Sequence, residues 1–489
     1  MTSIKVTART FENQKVQSLV ESRTFITEDE LNAMIENDTD LLSGKAAGVC
    51  YAPDDYFSRG IQNEEIAVKR AGDTSKSGHH SVFEHMHFTL LVKTSKMMCM
   101  ILNSMGVYAT SEKSARYTIM KPETELEAQL YDKWKEKIRN LIIEKYPDID
   151  DKMLQTRFDK ALNKKEGTTD LHGPHIENGV FNCFDGDNTE STWFYNKLEE
   201  LKASTTLPSY KLAQENARYM ISVFAPTFME YTVSYRQYCL IEDYLDKLII
   251  ELLNSDIKNS FRNKLLDEAT KFNIALREAI KLEHKRVYDN KNQYIRFLQA
   301  QHRGYVELST GRYEKIHVDI SHKEFVHKDT NIADSYTLNY KGSLAMLAQL
   351  QRHRTLRYQM FLEDAIEFYV PEIIKDAKLE DEWLADIKSV GYCIPQGTLV
   401  DITEQGLFED FVMKCKERLC GCAQLEIMFR TKQSLMNFIS NKDCLSEENQ
   451  LEIDSITNDD EVIPRCMFKD FKCTSPCRWG AKNSLTRLV

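Results

Sequence analysis

Alternating apolar and polar positions predict strands in three parts of the chain. The segment 81–92, SVFEHMHFTLLV, alternates in this way and is rich in aromatic and β-branched residues, as strands usually are. The runs 313–320, YEKIHVDI, and 335–340, SYTLNY, show a similar pattern. The sequence therefore predicts sheet structure in both halves of the chain.

Helical periodicity accounts for most of the remaining apolar positions. Amphipathic patterns predict helices over 94–105, 123–165, 208–222, 233–300, 343–351 and 406–440. A stretch rich in Gly, Asn and Asp at 165–190 predicts a loop. The chain therefore combines helices and strands, with the helices contributing more residues.

Composition and charge narrow the class of protein. The 489 residues are 42% hydrophobic and 28% charged, which is typical of globular proteins, and a chain of this length predicts two or three domains. A net charge of −11 argues against a nucleic acid polymer as partner. No apolar run approaches the ~20 residues that span a bilayer, and the first residues lack the apolar core of a signal peptide. We expect a cytoplasmic protein without a membrane partner.

The cysteines are candidate metal ligands. Twelve cysteines in a chain without a signal peptide are expected to be reduced thiols. Two groups have short spacings, namely Cys415, Cys420 and Cys422, and Cys466, Cys473 and Cys477. Neither group forms two CxxC pairs, so no metal site is predicted.

A weak internal repeat relates the two halves of the chain. The segments 88–117 and 336–365 share an order of strand, small-residue turn, apolar helix and polar loop. Aligning Ser95 with Ser343 places 104–106, Ser-Met-Gly, opposite 352–354, Arg-His-Arg, without a gap. We interpret the repeat as a tandem duplication.

Three motifs resemble those of the flavin-dependent thymidylate synthases (ThyX). They are 79-HHSVFEHMHFT-89, 111-SEKSARY-117 and the Arg-His-Arg at 352–354. That family carries Arg-His-Arg and a Ser/Asn-Glu-x-Ser-x-Arg-Tyr stretch in one continuous loop. Here copy two keeps the first half, with Gln349 before it, and copy one keeps the second half. Each copy thus lacks the half that the other retains.

Further positions show the same complementarity between the copies. Copy one keeps the family's Ala-Arg at 217–218, where copy two has Val-Gly at 390–391. Copy two keeps Arg418 before 423-AQLEI-427, where copy one has Leu245. In the family, each active site lies between subunits of a homotetramer, so the resemblance implies one composite site between the two halves.

The resemblance also implies the fold and the assembly. We expect an α+β protein with two tandem ThyX-like domains at 1–285 and 286–489, each a twisted, mainly antiparallel sheet flanked by long helices. Copy one would carry an insertion at about 140–190 that covers the site. The expected assembly is a homodimer that imitates the family's tetramer.

Roles for individual residues follow from the resemblance. It implies a catalytic set of Arg352, Glu112 and His79. It implies a substrate-binding set of Gln349, Arg352, Glu112, Ser114, Arg116, Arg218 and Arg418. It implies a cofactor-binding set of His79, Ser81, Glu84, Arg236, His353, Arg354 and Thr355. Arginine suits a nucleotide because its planar guanidinium binds phosphate oxygens through two hydrogen bonds.

The implied reaction is the reductive methylation of dUMP to dTMP with FAD, methylenetetrahydrofolate and NADPH. Two alternatives stay open. One is methylation or hydroxymethylation of another pyrimidine nucleotide, dCMP or UMP. The other is a non-catalytic nucleotide- or flavin-binding protein, which is favoured by changes at the family's flavin-side Asn positions. Those positions hold Ser234, Leu240, Leu407 and Met413 here, and a family His becomes Cys422.

Overall fold

The computed structural model describes most of the chain. The described residues are 2–10, 38–49, 63–116, 118–166, 175–182, 188–256, 259–280, 306–307, 317–324, 331–362, 366–473, 477 and 482–487. The chain divides into two compact units, each built from two stretches of sequence. Unit 1 comprises 1–113 and 224–307, and unit 2 comprises 114–223 and 308–489. The two-copy division at 285 stays a prediction.

The described strands and helices are numbered in chain order. The strands are β1 Ser3–Arg9, β2 His87–Ser95, β3 Ala109–Glu112, β4 His175–Glu177, β5 Val180–Asn182, β6 Pro226–Ser234, β7 Val306–Glu307, β8 His317–Glu324, β9 Asn331–Ser343, β10 Arg357–Phe361, β11 Leu399–Leu407, β12 Thr457–Asn458 and β13 Glu461–Val462. The helices are α1 Asp38–Val49, α2 Glu64–Lys76, α3 Lys96–Leu102, α4 Glu125–Lys145, α5 Asp151–Glu166, α6 Asn188–Lys202, α7 Pro208–Ala217, α8 Tyr235–Asn254, α9 Ser260–Ala279, α10 Leu344–Leu350, α11 Glu372–Asp376, α12 Glu380–Ser389, α13 Phe408–Arg418, α14 Leu425–Ser440 and α15 Glu447–Ile456. Short 3-10 helices lie at His80–Glu84, Arg218–Met220, Gly391–Cys393, Lys442–Cys444 and Arg465–Met467.

Unit 1 contains an antiparallel sheet with the strand order β1-β2-β6-β3. Along β2, Phe88, Leu90 and Val92 are buried while Leu91 is exposed, which is the alternation that the sequence displays. The strand begins at His87, later than the predicted start at 81. Residues 80–84 form a 3-10 helix instead, and the buried His80 ring contacts the Ser75 carbonyl oxygen at 3.1 Å.

Unit 2 contains an antiparallel sheet in which β8, β9, β11 and β10 follow one another. The long pair β9–β11 runs in register from Leu399 opposite Ser343 to Leu407 opposite Ser335. The predicted strand 335–340 lies within β9, and 317–320 lies within β8, while 313–316 are outside the described residues. Mixed helices and strands with antiparallel sheets therefore confirm the predicted fold class.

The two segments aligned as a repeat have the same local structure. In each, a strand leads directly into a seven-residue helix, α3 after β2 and α10 after β9. Ser95 accepts a hydrogen bond from the backbone N–H of Met98, and Ser343 accepts one from that of Met346, so both serines cap their helices. The likeness is local, and the duplication stays a prediction.

Three of the predicted long helices are interrupted. The segment 123–165 contains α4 and α5, which are separated at 146–150. The segment 233–300 contains α8 and α9, which are separated near Ser255, and 281–300 are outside the described residues. The segment 406–440 contains α13 and α14. In these segments the helices on both sides of a break bury apolar residues, so the helical pattern of apolar positions did not reveal the breaks.

The insertion at 140–190 is more ordered than the predicted loop. It includes α5, the β4–β5 hairpin and the start of α6. These elements share a small apolar core formed by Leu154, Phe158, Leu162, Ile176, Phe194, Leu198 and Leu207. The predicted loop at 165–190 is therefore partly wrong, since buried Ile176 joins the hairpin to this core.

Candidate functional site

A buried carboxylate in unit 2 holds two arginines that are distant in sequence. Arg116 Nε donates to Glu215 Oε2 at 2.6 Å, and Arg487 Nη2 donates to Glu215 Oε1 at 2.6 Å. Arg116 Nη2 also donates to the carbonyl oxygen of Cys422 at 2.8 Å. Helix α7 buries Glu215 on its inner side. The geometry thus joins the predicted Arg116 to two residues that the sequence did not indicate.

Electrostatics keep Glu215 ionised. Burial alone would raise the pKa of Glu215, but Arg487, Arg116 and Arg218 together lower it to about 2. Glu426 also interacts with Arg218, so three guanidiniums face two carboxylates and positive charge is in excess. A buried excess of positive charge is costly unless an anion offsets it.

Arg218 is the third arginine of the group. It lies in the 3-10 helix after α7 and is only 4% exposed. Among the described residues, its Nε and Nη2 atoms have no hydrogen-bond partner. Burial lowers the pKa of Arg218, while Tyr219 and Glu215 act in the opposite direction. Buried N–H donors are nearly always paired in native proteins, so these atoms point to an acceptor from a ligand.

A second chain of hydrogen bonds connects Gln349 to the core. Its Nε2 donates to Gln424 Oε1, and Gln424 Nε2 donates to the Tyr219 hydroxyl. The Tyr219 hydroxyl donates to Glu426 Oε2 at 2.9 Å, and Ser343 Oγ donates to the same oxygen at 2.6 Å. Gln349 is therefore held by a network that includes the N-cap serine of its own helix.

Arg418 and His353 form a third part of the site. Arg418 Nε donates to His353 Nε2 at 2.8 Å, and Arg418 Nη2 donates to the Gln349 carbonyl oxygen at 3.2 Å. Burial lowers the pKa of His353 to about 2, with Arg418 and Lys414 adding to the effect. A neutral ring that accepts at Nε2 carries its proton on Nδ1. His353 thus positions the guanidinium of Arg418.

The neighbouring predicted residues lie on the surface of unit 2. Arg352, Arg354 and Thr355 follow α10 and are exposed. Arg352 is close enough to Arg418 to lower the pKa of its guanidinium, although burial is the main cause. Ser114 is half-buried, and its carbonyl oxygen accepts from the Thr118 backbone N–H at 2.9 Å.

Unit 1 holds the remaining predicted residues. His79, Ser81 and Glu84 are exposed, and Arg236 Nη1 donates to Glu84 Oε1. Glu112 ends β3 with a buried side chain. It accepts from Lys96 Nζ and, at 3.4 Å, from Asn103 Nδ2. Glu112 therefore has cationic and amide partners within unit 1.

Sequence reasoning missed Glu215, Glu426 and Arg487. Glu215 stands three residues before Arg218 on the helical segment, so their shared face was a usable signal. Glu426 lies inside the AQLEI motif that was quoted for its position after Arg418. No pattern in the sequence indicated Arg487, because only tertiary folding brings it to Glu215.

One group of described side chains has the proximity that a metal ion requires. Ligand atoms of Glu123, Glu127 and Cys393 lie within 4.8 Å of one another. Glu127, however, already accepts from the Thr124 backbone N–H at 2.9 Å and the Ser222 backbone N–H at 2.7 Å. The Thr124 bond is part of the capping box of α4 and the Ser222 bond occupies the other carboxylate oxygen, so hydrogen bonds within the protein explain the position of Glu127. In the described part of the chain, no helix is long and apolar enough to cross a membrane.

Comparisons with known proteins agree with the motif assignment. Residues 31–242 match the family model Thy1, thymidylate synthase complementing protein. The family resemblance is therefore confirmed over this segment. Residues 243–489 lie outside the match. No curated protein sequence matches the chain.

Solved structures give weaker similarities. The UMP/dUMP methylase PolB from Streptomyces cacaoi, bound with 5-Br UMP, is 12% identical over 60% of this chain and 95% of that chain, with a TM-score of 0.23. Thymidylate synthase X from Helicobacter pylori, with FAD and dUMP, is 13% identical over 60% of this chain and 99% of that chain, with a TM-score of 0.25. At these scores, the similarities do not by themselves establish a shared fold.

Proposed function

We propose that the protein is a flavin-dependent methyltransferase that converts dUMP to dTMP with methylenetetrahydrofolate and a nicotinamide reductant, NADPH. The observation that carries this proposal is the buried arginine group of unit 2. It occurs in a chain whose residues 31–242 match the family of thymidylate synthase complementing proteins. Its excess of positive charge and its unpaired N–H donors suit a nucleoside monophosphate, whose phosphate carries nearly two negative charges.

The proposed site is composite, with Arg116 from copy one and Gln349, Arg352 and Arg418 from copy two. Support comes from the 2.8 Å hydrogen bond between Arg116 Nη2 and the Cys422 carbonyl oxygen, which joins the copy-one motif to the residue before the copy-two segment 423–427 within unit 2. Arg352, which is exposed beside Arg418, would bind the pyrimidine carbonyl where negative charge develops during addition to the ring. Glu112 and Ser114 complete the proposed substrate set, and Glu112 and His79 join Arg352 as proposed catalytic residues.

The predicted cofactor residues are compatible with FAD. The exposed side chains of His79, Ser81, Arg354 and Thr355 can reach a ligand without breaking a buried contact. Glu84 and Arg236 form a surface ion pair that can rearrange at small cost. Bound FAD would supply the electron transfer and the one-carbon relay. His353 would act indirectly. Its neutral ring accepts the hydrogen bond from Arg418 Nε and so holds the Arg418 guanidinium in position.

Product masses test the reaction most directly. The protein is incubated with FAD, NADPH as the source of electrons, methylenetetrahydrofolate and either dUMP, dCMP or UMP. We expect a 14 Da gain, the mass of one CH₂ unit, on dUMP alone. A gain on dCMP or UMP would transfer the proposal to that nucleotide, and a 30 Da gain would indicate hydroxymethylation. A colourless protein that takes up no added FAD would favour a non-catalytic binding protein.

Double-mutant analysis tests the composite site. Arg352→Ala and Arg116→Ala each remove a charge-assisted contact of roughly 1.5–3 kcal/mol, so each should weaken dUMP binding by tenfold or more. The double variant should lose less than the sum of the two single losses, because both side chains bind one ligand. Additive losses, or two nucleotides bound per chain, would contradict a single composite site.

The proposed assembly is a homodimer. Sedimentation at micromolar concentration should give twice the mass of one chain. A stable monomer would overturn the assembly and leave the reaction to be judged by its products.

A further inference from the structure

Arg487 has an unusual combination of burial, pairing and origin. Its side chain is fully buried, and one nitrogen, Nη2, donates to Glu215 Oε1 at 2.6 Å. Its Nε and Nη1 atoms have no hydrogen-bond partner among the described residues. Arg487 also lies outside the residues that match the family model. Neither the motifs nor the family match explains why a buried guanidinium is placed there.

The unpaired donors of Arg487 belong to the same group as those of Arg218. Both guanidiniums lower the pKa of Glu215, so both lie close to one carboxylate. Together they present four buried N–H nitrogens without an acceptor in the described part of the chain, two on each residue. Leaving one such donor unpaired costs about 1–3 kcal/mol, and more for a charged group. An absent acceptor with several oxygens would remove this cost.

We propose that Arg487 binds the phosphate of the nucleotide together with Arg218 and thereby completes the phosphate subsite of unit 2. The inference rests on the proposed function for the identity of the ligand, a nucleoside monophosphate. Glu215 holds Arg487 and Arg116 apart in fixed positions, because its two oxygens take one donor from each. The remaining edge of Arg487 is left for the phosphate oxygens.

Charge supports a dianion in preference to a neutral ligand. The three guanidiniums outnumber the two carboxylates near them, Glu215 and Glu426, and a phosphate monoester near neutral pH offsets this positive excess. A nucleoside without phosphate would leave the excess charge in place. Arg487 therefore contributes to the binding of the phosphate and not to the binding of the base or the sugar.

Two ligands that differ only in the phosphate can separate a role of Arg487 in phosphate binding from a purely structural role. Binding of dUMP and of deoxyuridine is measured for the full chain and for Arg487→Met, with Lys482→Met as a control that removes an exposed cation nearby in the sequence. We expect Arg487→Met to weaken dUMP binding at least tenfold while deoxyuridine binding changes less than twofold. Arg487→Lys should recover part of the loss, and Lys482→Met should match the wild type. Equal weakening for both ligands would mean that Arg487 only supports the fold.

Inorganic phosphate distinguishes failure of this inference from failure of the proposed function. Phosphate should raise the urea midpoint of unit 2 in the wild type and less so in Arg487→Met, as a ligand of the folded state does. If phosphate protects in this way but dUMP does not bind, the inference stands and the proposed substrate is wrong. If dUMP binds the wild type and Arg487→Met equally, the inference is wrong and the proposed function stands. If neither ligand binds the wild type, both are overturned.

Discussion

Each unit contains a predicted site arginine paired with a glutamate, and the two pairs differ mainly in their surroundings. In unit 1, the Arg236 and Glu84 side chains are 21% and 53% exposed. In unit 2, the Arg116 and Glu215 side chains are 12% and 7% exposed. Water screens the first pair, whereas the second pair belongs to a buried network with a charge excess. The same two residue types thus make a replaceable surface contact in one unit and a fixed element of a candidate site in the other.

Replacing the glutamate of each pair should give the largest difference in stability loss between the two units. Glu215→Ala leaves two buried guanidiniums without their carboxylate, and breaking a buried pair in this way costs roughly 3–5 kcal/mol. Glu84→Ala should cost less than about 1 kcal/mol, because exposed ion pairs contribute little. Hydrogen exchange read by mass spectrometry, on peptides from α7 and from β2, measures each unit separately. Similar losses in the two variants would show that burial does not separate the pairs.

Removing Arg218 should affect binding more than stability. Arg218→Met removes charge-assisted donors worth roughly 1.5–3 kcal/mol to a bound phosphate, so dUMP affinity should fall tenfold or more. The fold gives up no hydrogen bonds from the Nε and Nη2 atoms, which lack partners among the described residues. Calorimetric titration with dUMP measures the effect.

Arg262 in unit 1 is the matched control for Arg218. Its Nε donates to the Leu252 carbonyl oxygen at 2.7 Å, near the end of α8. Arg262→Met should therefore reduce the stability of unit 1 and leave dUMP affinity unchanged. An equal loss of affinity in both variants would contradict the assignment of the phosphate to Arg218.

The pH dependence of unit 2 should report on His353. Its pKa in the folded protein lies far below the ordinary value of 6.5, so the folded state excludes the proton that the unfolded chain takes up. The contribution of His353 to the free energy of unfolding is fully present above pH 6.5. It declines as the pH falls below 6.5, by up to about 1.4 kcal/mol per pH unit. His353→Gln has no such proton, and its decline should be smaller.

Tryptophan fluorescence can follow this change in urea at pH 7.5 and 5.5. All four tryptophans fall within the residue ranges of unit 2. Glu215 does not interfere in this range, because its lowered pKa places its loss of stability below about pH 4.5. A decline of the same size in the wild type and in His353→Gln would exclude His353 as its source.

The smallest effects are expected at the exposed positions of unit 1. Ser81→Ala should change stability by less than about 0.5 kcal/mol, as surface substitutions usually do. If Ser81 binds FAD through one neutral hydrogen bond of about 1 kcal/mol, the affinity for FAD should fall roughly fivefold. Absorbance titration with FAD measures the change, and Ser77→Ala serves as the exposed control. An unchanged affinity would remove Ser81 from the proposed cofactor set.

Local signals in the sequence identified much of the fold and part of the site. The alternation around 335–340 found β9, and the serines before α3 and α10 marked the helix starts, because capping depends on a few neighbouring residues. The motif halves pointed to Arg116, Arg218, Gln349 and Arg418 through their residue types and order. Breaks such as that between α13 and α14 stayed hidden, because the helices on both sides bury apolar residues.

By itself, then, the sequence indicated several of the strands and helices, the family that the segment 31–242 resembles, and the arginines of the candidate site. Only the tertiary structure decided that Glu215 links Arg116 to Arg487, and that His353 directs Arg418. Caps and periodicity act over a few residues, so they can be read along the chain. The balance of buried charge depends on residues hundreds of positions apart, and it is fixed only when folding removes water from between them.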